Sequence, residues 1–173
     1  MNNIRSPKQR KVSALQGGLK YYAAFSQEFV EDVIAFLNLN QKSTILDPWN
    51  GSGTTTEVAS CLNFSVIGYD LNPAVKMLAQ TRLACESHLS EAKKELANCI
   101  YSSAKTPIES DLPAFRYWLT PPSIHYLATL KSKIVLIEDN IVQSLASISI
   151  VNAIRRQLSN FKSKNPSWIR IAK

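Results

Sequence analysis

The chain has 173 residues, 45% of them hydrophobic, and a formal net charge of +7. That length and apolar content support a single domain, or part of one, with a real core, and the charge suits a polyanionic partner. No run approaches the ~18 apolar residues of a membrane helix, the amino terminus is polar and basic rather than a signal peptide, and three cysteines without paired metal-ligand spacing make no zinc set or disulfide framework. A cytoplasmic protein with no metal and no membrane partner is expected, with Cys61, Cys85 and Cys99 as small buried residues.

Residues 1–19 form a basic arm carrying Arg5, Lys8, Arg10 and Lys11. Tyr21 to Leu37 begins as an aromatic extended piece and turns helical at Ser26, a natural cap, with Phe29, Val33, Phe36 and Leu37 expected on one face. Thr44 to Leu46 reads as a strand that stops at Asp47-Pro48, because proline withdraws a backbone donor. Gly51 and Gly53 then flank Ser52 in a turn whose backbone is free to approach a ligand. From Thr54 the apolar residues Val58, Ala59 and Leu62 recur at helical spacing, and Phe64 to Tyr69 is a second strand ending in Asp70.

Farther on, Ala74 to Leu96 is expected to be mostly helical, with Val75, Leu78 and Leu83 in its apolar stripe, and Ser102 to Pro113 reads as a loop. Pro122 and Ser123 open a helix carrying Ile124, Leu127, Leu130, Ile134 and Ile137. Asp139 or Asn140 divides it from the next, which carries Leu145, Ile148, Val151, Ile154, Leu158 and Phe161, with Arg155 and Arg156 outward. Lys162, Lys164, Arg170 and Lys173 make the carboxyl end basic; solubility accounts for both basic clusters as well as phosphate contact does.

The chemistry concentrates between Lys42 and Pro73. Asp70 follows Asp47 by 23 residues, the distance at which a strand–helix–strand nucleotide site sets an acid on ribose hydroxyls. A phosphate-binding loop requires lysine after its last glycine, and Thr54 stands there. A dinucleotide fingerprint requires a third small residue and does not call for an acid and a proline before the glycines. An acid at one strand end, a turn with little anion recognition and a second acid on a ribose suit a nucleoside bearing an amino acid, such as S-adenosylmethionine.

The motifs DPWNGSGTT and GYDLNP resemble the cofactor motifs of amino-group DNA methyltransferases, which modify the exocyclic amine of adenine or cytosine. Trp49 stands where that family usually has phenylalanine. The resemblance implies that Asp47, Pro48, Trp49, Gly51, Gly53 and Thr54 line S-adenosylmethionine, that Asp70 holds its ribose beside Asn72, and that a preceding segment with Lys20, Tyr22 and Phe25 closes over the methionine end. It implies a Rossmann-like α/β methyltransferase fold, incomplete here, with the cofactor-binding portion at 20–105 and a helical segment with a basic tail at 106–173.

In this family the catalytic motif is a polar residue, Pro-Pro and an aromatic, placed after a buried strand so that a flipped base can be held and stacked. Thr120, Pro121 and Pro122 echo it, but Ser123 takes the aromatic place and Arg116 lies in the preceding stretch, so a helix entry is expected and no catalytic residue is assigned. His125 is expected to be a partly exposed polar residue of that helix. FRYWLTPP and KSKNPSW resemble pieces that lie between the cofactor and catalytic motifs in some large members. The implied function is a DNA methyltransferase part supplying the methyl-donor site, partnered by DNA and by a second polypeptide carrying the catalytic motif and remaining strands. The alternative is a non-catalytic nucleotide- or S-adenosylmethionine-binding module that regulates or scaffolds a DNA-processing partner.

Overall fold

The computed structural model describes residues 4–7, 25–105, 116 and 118–157. Lys20, Tyr22, most of the basic arm, most of the expected 102–113 loop, and Leu158, Phe161 and the basic tail lie outside the described residues. The chain divides into two compact units, Met1–Cys85 and Glu86–Lys173.

The first unit runs α1 (Gln27–Leu37), β1 (Thr44–Asp47), α2 (Thr54–Cys61), β2 (Ser65–Gly68) and α3 (Pro73–Arg82). Ser26 starts α1 by accepting the Phe29 N–H at 3.2 Å, so one otherwise orphaned donor is satisfied. Asn38 ends it in the left-handed region at φ 45°, its N–H bonding Ala35 O. The face that α1 buries is Val30 and Ile34, with Phe29 packed beside them. Phe36 and Leu37, expected on that face, are exposed, because the buried i, i+4 pair is centred one position away from the expected one.

The two strands pair in parallel, Thr44 with Ser65 through Asp47 with Gly68, and α2 is the crossover between them. Val30, Ile34, Val58, Ala59 and Phe64 form the core, and Ile45 and Val66 pack on it from one face of the sheet. Residues alternate sides along a strand, so Leu46 and Ile67, paired in register, turn to the other face, where they are 58% and 44% exposed. The described residues, mostly helical with one two-stranded parallel sheet, are compatible with part of an α/β fold.

Ala74 to Leu96, expected to be mostly helical, is so in two helices, broken between Arg82 and Glu86. Asn72 caps α3, its side chain accepting the Ala74 N–H at 3.0 Å, with Pro73 at the first position where no donor is needed. The helix closes on tightened three-residue bonds, Leu83 N–H to Gln80 O and Ala84 N–H to Thr81 O, while the Thr81 hydroxyl returns to Leu78 O. No proline or glycine marks that end.

The second unit consists of α4 (Glu86–Lys105), α5 (Pro121–Ile134) and α6 (Asn140–Gln157). The sequence groups residues 86–105 with the cofactor portion; here α4 packs with α5 and α6. It runs helical through Lys105, past the expected loop start at Ser102. Thr120 precedes α5, whose first two residues are Pro121 and Pro122, and its hydroxyl lies 2.9 Å from that of Ser123. Asp139 starts α6 by accepting the Ile141 and Val142 N–H groups at 2.8 and 2.9 Å, and those bonds, the Val142 one first, hold its carboxyl below the usual carboxylate range.

Cys99, Leu130, Ile134 and Ala146 form the bundle core, bordered by Leu96, Tyr126, Ile137 and Ile150. Fully burying Leu130 contributes about 2–3 kcal/mol from area alone. Of the expected α6 stripe, Ile148 is buried and Leu145, Val151 and Ile154 half-buried; Val142, Ser144 and Ala146 are buried as well. Arg156 is exposed and Arg155 half-buried. Burial pushes the Cys99 thiol up, whereas Cys61 and Cys85, expected inside, are exposed. No helix among the described residues is long and apolar enough to cross a membrane.

Candidate functional site

The carboxyl ends of β1 and β2 are tied together by a series of short bonds. Tyr69 N–H donates to Asp47 O at 2.9 Å, continuing the ladder one residue past β2. Asn50 N–H donates back to Tyr69 O at 2.8 Å, and Gly51 N–H reaches the Asp70 carboxylate at 3.0 Å. The other Asp70 oxygen accepts the Asn72 N–H at 2.8 Å. Asp47 folds its side chain onto the Trp49 N–H at 3.0 Å, which shapes the corner after the strand. The two acids thus face one glycine turn, one at its start and one across from it.

Gly51 and Gly53 have φ of 52° and 87°, the left-handed region in which a side chain is strained. Gly53 also closes a packing contact: a Cβ there would stand 2.7 Å from the Ala79 Cβ on α3. The third small residue missing from a dinucleotide fingerprint therefore has an equivalent in space, the Gly53–Ala79 contact between turn and helix.

Asp47, Trp49, Gly51, Asp70 and Asn72 are brought together by these bonds. Pro48 is exposed beside Asp47, and Thr54, first residue of α2, is buried with only 4% of its surface accessible. Trp49, in the corner after β1, is 82% exposed and Leu71, next to Asp70 in the chain, fully exposed, so both present apolar surface to solvent. Phe25 sits at the entry of α1 with its ring 5.5 Å from that of Phe29.

Several residues of the site carry no sequence signal of the expected kind. Asn50 accepts the Thr56 hydroxyl at 3.1 Å and lies against Gly68, where a Cβ would meet its side chain at 2.5 Å. Ser52 is buried, and Arg82 from α3 approaches its hydroxyl at 3.5 Å while pairing with Glu57 of α2. That ion pair spans residues 25 apart, so only the fold reveals it. It also means that Arg82, which reaches the turn, is already paired, and residues 47–56 carry no lysine or arginine. An anionic phosphate finds no counter-charge in this turn.

The basic arm is altered in the same sense. Arg5 holds Asp32 of α1 by its backbone N–H and by Nε and Nη2 of one guanidinium edge, at 2.7–2.8 Å, and reaches Glu31 at 3.5 Å. Those bonds bring the Asp32 carboxyl down to about 2. At the other expected site, the described residues before Thr120, namely Arg116, Trp118 and Leu119, are in turns, and Thr120-Pro121-Pro122 is the entry of α5. His125 is half-buried within that helix. No group of three or more potential metal ligands occurs among the described residues.

Comparison with known proteins places these features. The family model of N6- and N4-type DNA methylases matches residues 1–81, the span that includes the turn, both strands and Asp70. The type II methyltransferase M.BsoBI of Geobacillus stearothermophilus is 32% identical over 100 residues, covering 57% of this chain and 19% of that protein. No solved structure matches the chain. Through residues 1–81, the chain is similar to the DNA methylases of that family, and it spans about a fifth of the length of the curated relative it matches.

Proposed function

We propose that the chain supplies the methyl-donor site of an S-adenosylmethionine-dependent DNA methyltransferase acting on the exocyclic amine of adenine or cytosine. The observation that carries this reading is the Asp70 carboxylate, held across from the glycine turn by one backbone donor on each oxygen. An ionised carboxylate has about four lone-pair sites, so two remain for paired hydroxyls such as those of a ribose. The turn's lack of cations favours a nucleoside ligand over a phosphorylated one, and exposed Trp49 and Leu71 offer apolar surface to a base or thioether chain. When bound, S-adenosylmethionine supplies an electrophilic methyl group on a sulfonium. The chain's share is orientation: Asp70 and Asn72 at the ribose, residues 47–54 along the methionine part, with Phe25, Lys20 and Tyr22 closing over it. The sheet and its surroundings are read as the cofactor portion of a Rossmann-like fold.

The groups that accept the target amine are assigned to another polypeptide or segment that brings the catalytic motif and further strands. Two features support this. Thr120-Pro121-Pro122 opens a helix, and the two-stranded parallel sheet leaves Leu46 and Ile67 exposed although parallel sheets are ordinarily covered on both faces. The same helix entry is what favours the second reading, a non-catalytic binding module for a DNA-processing partner.

Calorimetric titration of the purified chain with S-adenosylmethionine tests the donor site. Asp70→Asn is expected to weaken binding by about 1.5–3 kcal/mol, since it removes a charged acceptor from two donors. Unchanged affinity in a folded variant overturns the ribose assignment. Methyl transfer to mixed-sequence duplex DNA by the chain alone is expected to be absent and to appear when the complementary polypeptide is added; transfer by the chain alone would return Thr120, Pro121 and Pro122 to candidacy.

A further inference from the structure

We infer that Asn50 is a positioning residue for the donor site, acting as a strut between the glycine turn and α2 with Thr56 as its anchor and Gly68 as the space that admits it. Asn50 makes hydrogen bonds through its N–H, its carbonyl and its side-chain oxygen. Its N–H holds Tyr69 O, its carbonyl accepts the Gly53 N–H at 2.8 Å, and its side-chain oxygen accepts the Thr56 hydroxyl at 3.1 Å, whose single proton is shared with Gly53 O at the same distance. Thr56 is 6% exposed, so this pair is sheltered from competing water. Gly68 ends β2 beside it, and a Cβ there would overlap both Asn50 Nδ2 at 2.5 Å and Asn50 Cγ at 2.6 Å.

These bonds bracket Gly51, whose N–H holds Asp70. Asp70 is the side chain that ties the end of β2 to the turn, and without the strut the turn backbone it holds is no longer anchored on α2. Asn50 touches none of the ribose-side groups itself; it acts through the placement of Gly51 and Asp70. The inference deepens the donor-site reading and rests on it for its link to S-adenosylmethionine.

Two measurements on the full chain separate the strut from that reading. Amide hydrogen exchange at Gly51, without ligand, is compared among wild type, Thr56→Val, Thr56→Ser and Gly68→Ala. Loss of the hydroxyl's shared hydrogen bond in Thr56→Val, and displacement of Asn50 in Gly68→Ala, are expected to speed exchange about tenfold, while Thr56→Ser keeps the wild-type rate. Calorimetry with S-adenosylmethionine is expected to follow the same order, with about tenfold weaker binding where the strut is lost. Val58→Ala serves as the comparison: it removes buried core from α2, lowers the unfolding midpoint, and is expected to leave both readouts at wild-type values. Wild-type exchange at Gly51 in Thr56→Val, or affinity that falls in Val58→Ala as it does in Thr56→Val, overturns the strut. The expected exchange pattern in a wild-type chain that does not bind S-adenosylmethionine upholds the strut and overturns the donor-site reading instead.

Discussion

The glycine turn and the α4–α6 bundle are stabilised in opposite ways. Around Asp70 the chain is held by hydrogen bonds between backbone groups and short polar side chains, and the large apolar residues Trp49 and Leu71 face outward. In the bundle, Leu130, Ile134, Cys99 and Ala146 are packed inside, and the polar Ser103, Thr129 and Ser144 are buried with them. A region organised by directional bonds keeps its surface available for a ligand; one organised by contact area spends its apolar residues on itself.

The sharpest way to break the contrast is to put a side chain where the turn allows none. Gly53→Val places a branched residue at φ 87° and a Cβ 2.7 Å from that of Ala79, so a loss of about 3–4 kcal/mol in denaturant unfolding is expected, together with loss of ligand binding. A change within a few tenths of wild type would mean that α3 shifts freely, and the turn is not locked by packing. In the bundle, Leu130→Ala is expected to cost about 2–4 kcal/mol of stability by leaving a cavity, with ligand affinity unchanged.

Ser103 sharpens the comparison with the opposite sign. Its hydroxyl is buried without a hydrogen-bond partner, the kind of group the turn does not contain. Ser103→Ala is therefore expected to raise stability by about 1 kcal/mol, measured as a higher midpoint at unchanged denaturant slope; a loss of stability would reveal a partner for that hydroxyl.

The smallest effect concerns Arg5 and Asp32. A carboxyl held at about 2, below its ordinary value near 4, adds stability that is present above the unfolded value and disappears as pH falls through about 2. Carboxyl titration followed by NMR is expected to show the Asp32 midpoint rising toward ~4 in Arg5→Ala. Because Arg5 is exposed and Asp32 only partly buried, the accompanying change in unfolding is small. A midpoint that stays low in the variant would assign the shift to another group.

The same contrast explains what could be read from the residues alone. Ser26, Gly53, Asn72 and Asp139 act on neighbours two or three positions away, so their effect is written locally; both strands, α1, α2 and the start of α5 followed from such cues. The break between α3 and α4 was not legible, because neither glycine nor proline marks it and helical periodicity continues through Leu83. In the candidate site the two acids and the glycines stand out by spacing. Asn50, Gly68 and the Glu57–Arg82 pair do not, since their partners lie in other elements and only the crossover through α2 brings them within reach.

That crossover has a kinetic consequence. β1 and β2 cannot meet through a hairpin: the chain from Asp47 to Ser65 must close as a loop, with α2 inside it, before Thr44 finds Ser65 or Gly51 finds Asp70. Strand pairing and the assembly of the acid–turn contact therefore belong to one nonlocal event in folding. A small molecule that recognises the closed arrangement and not the open chain shifts this equilibrium by mass action, so its binding would register as a slower unfolding rate and a higher melting temperature of the first unit.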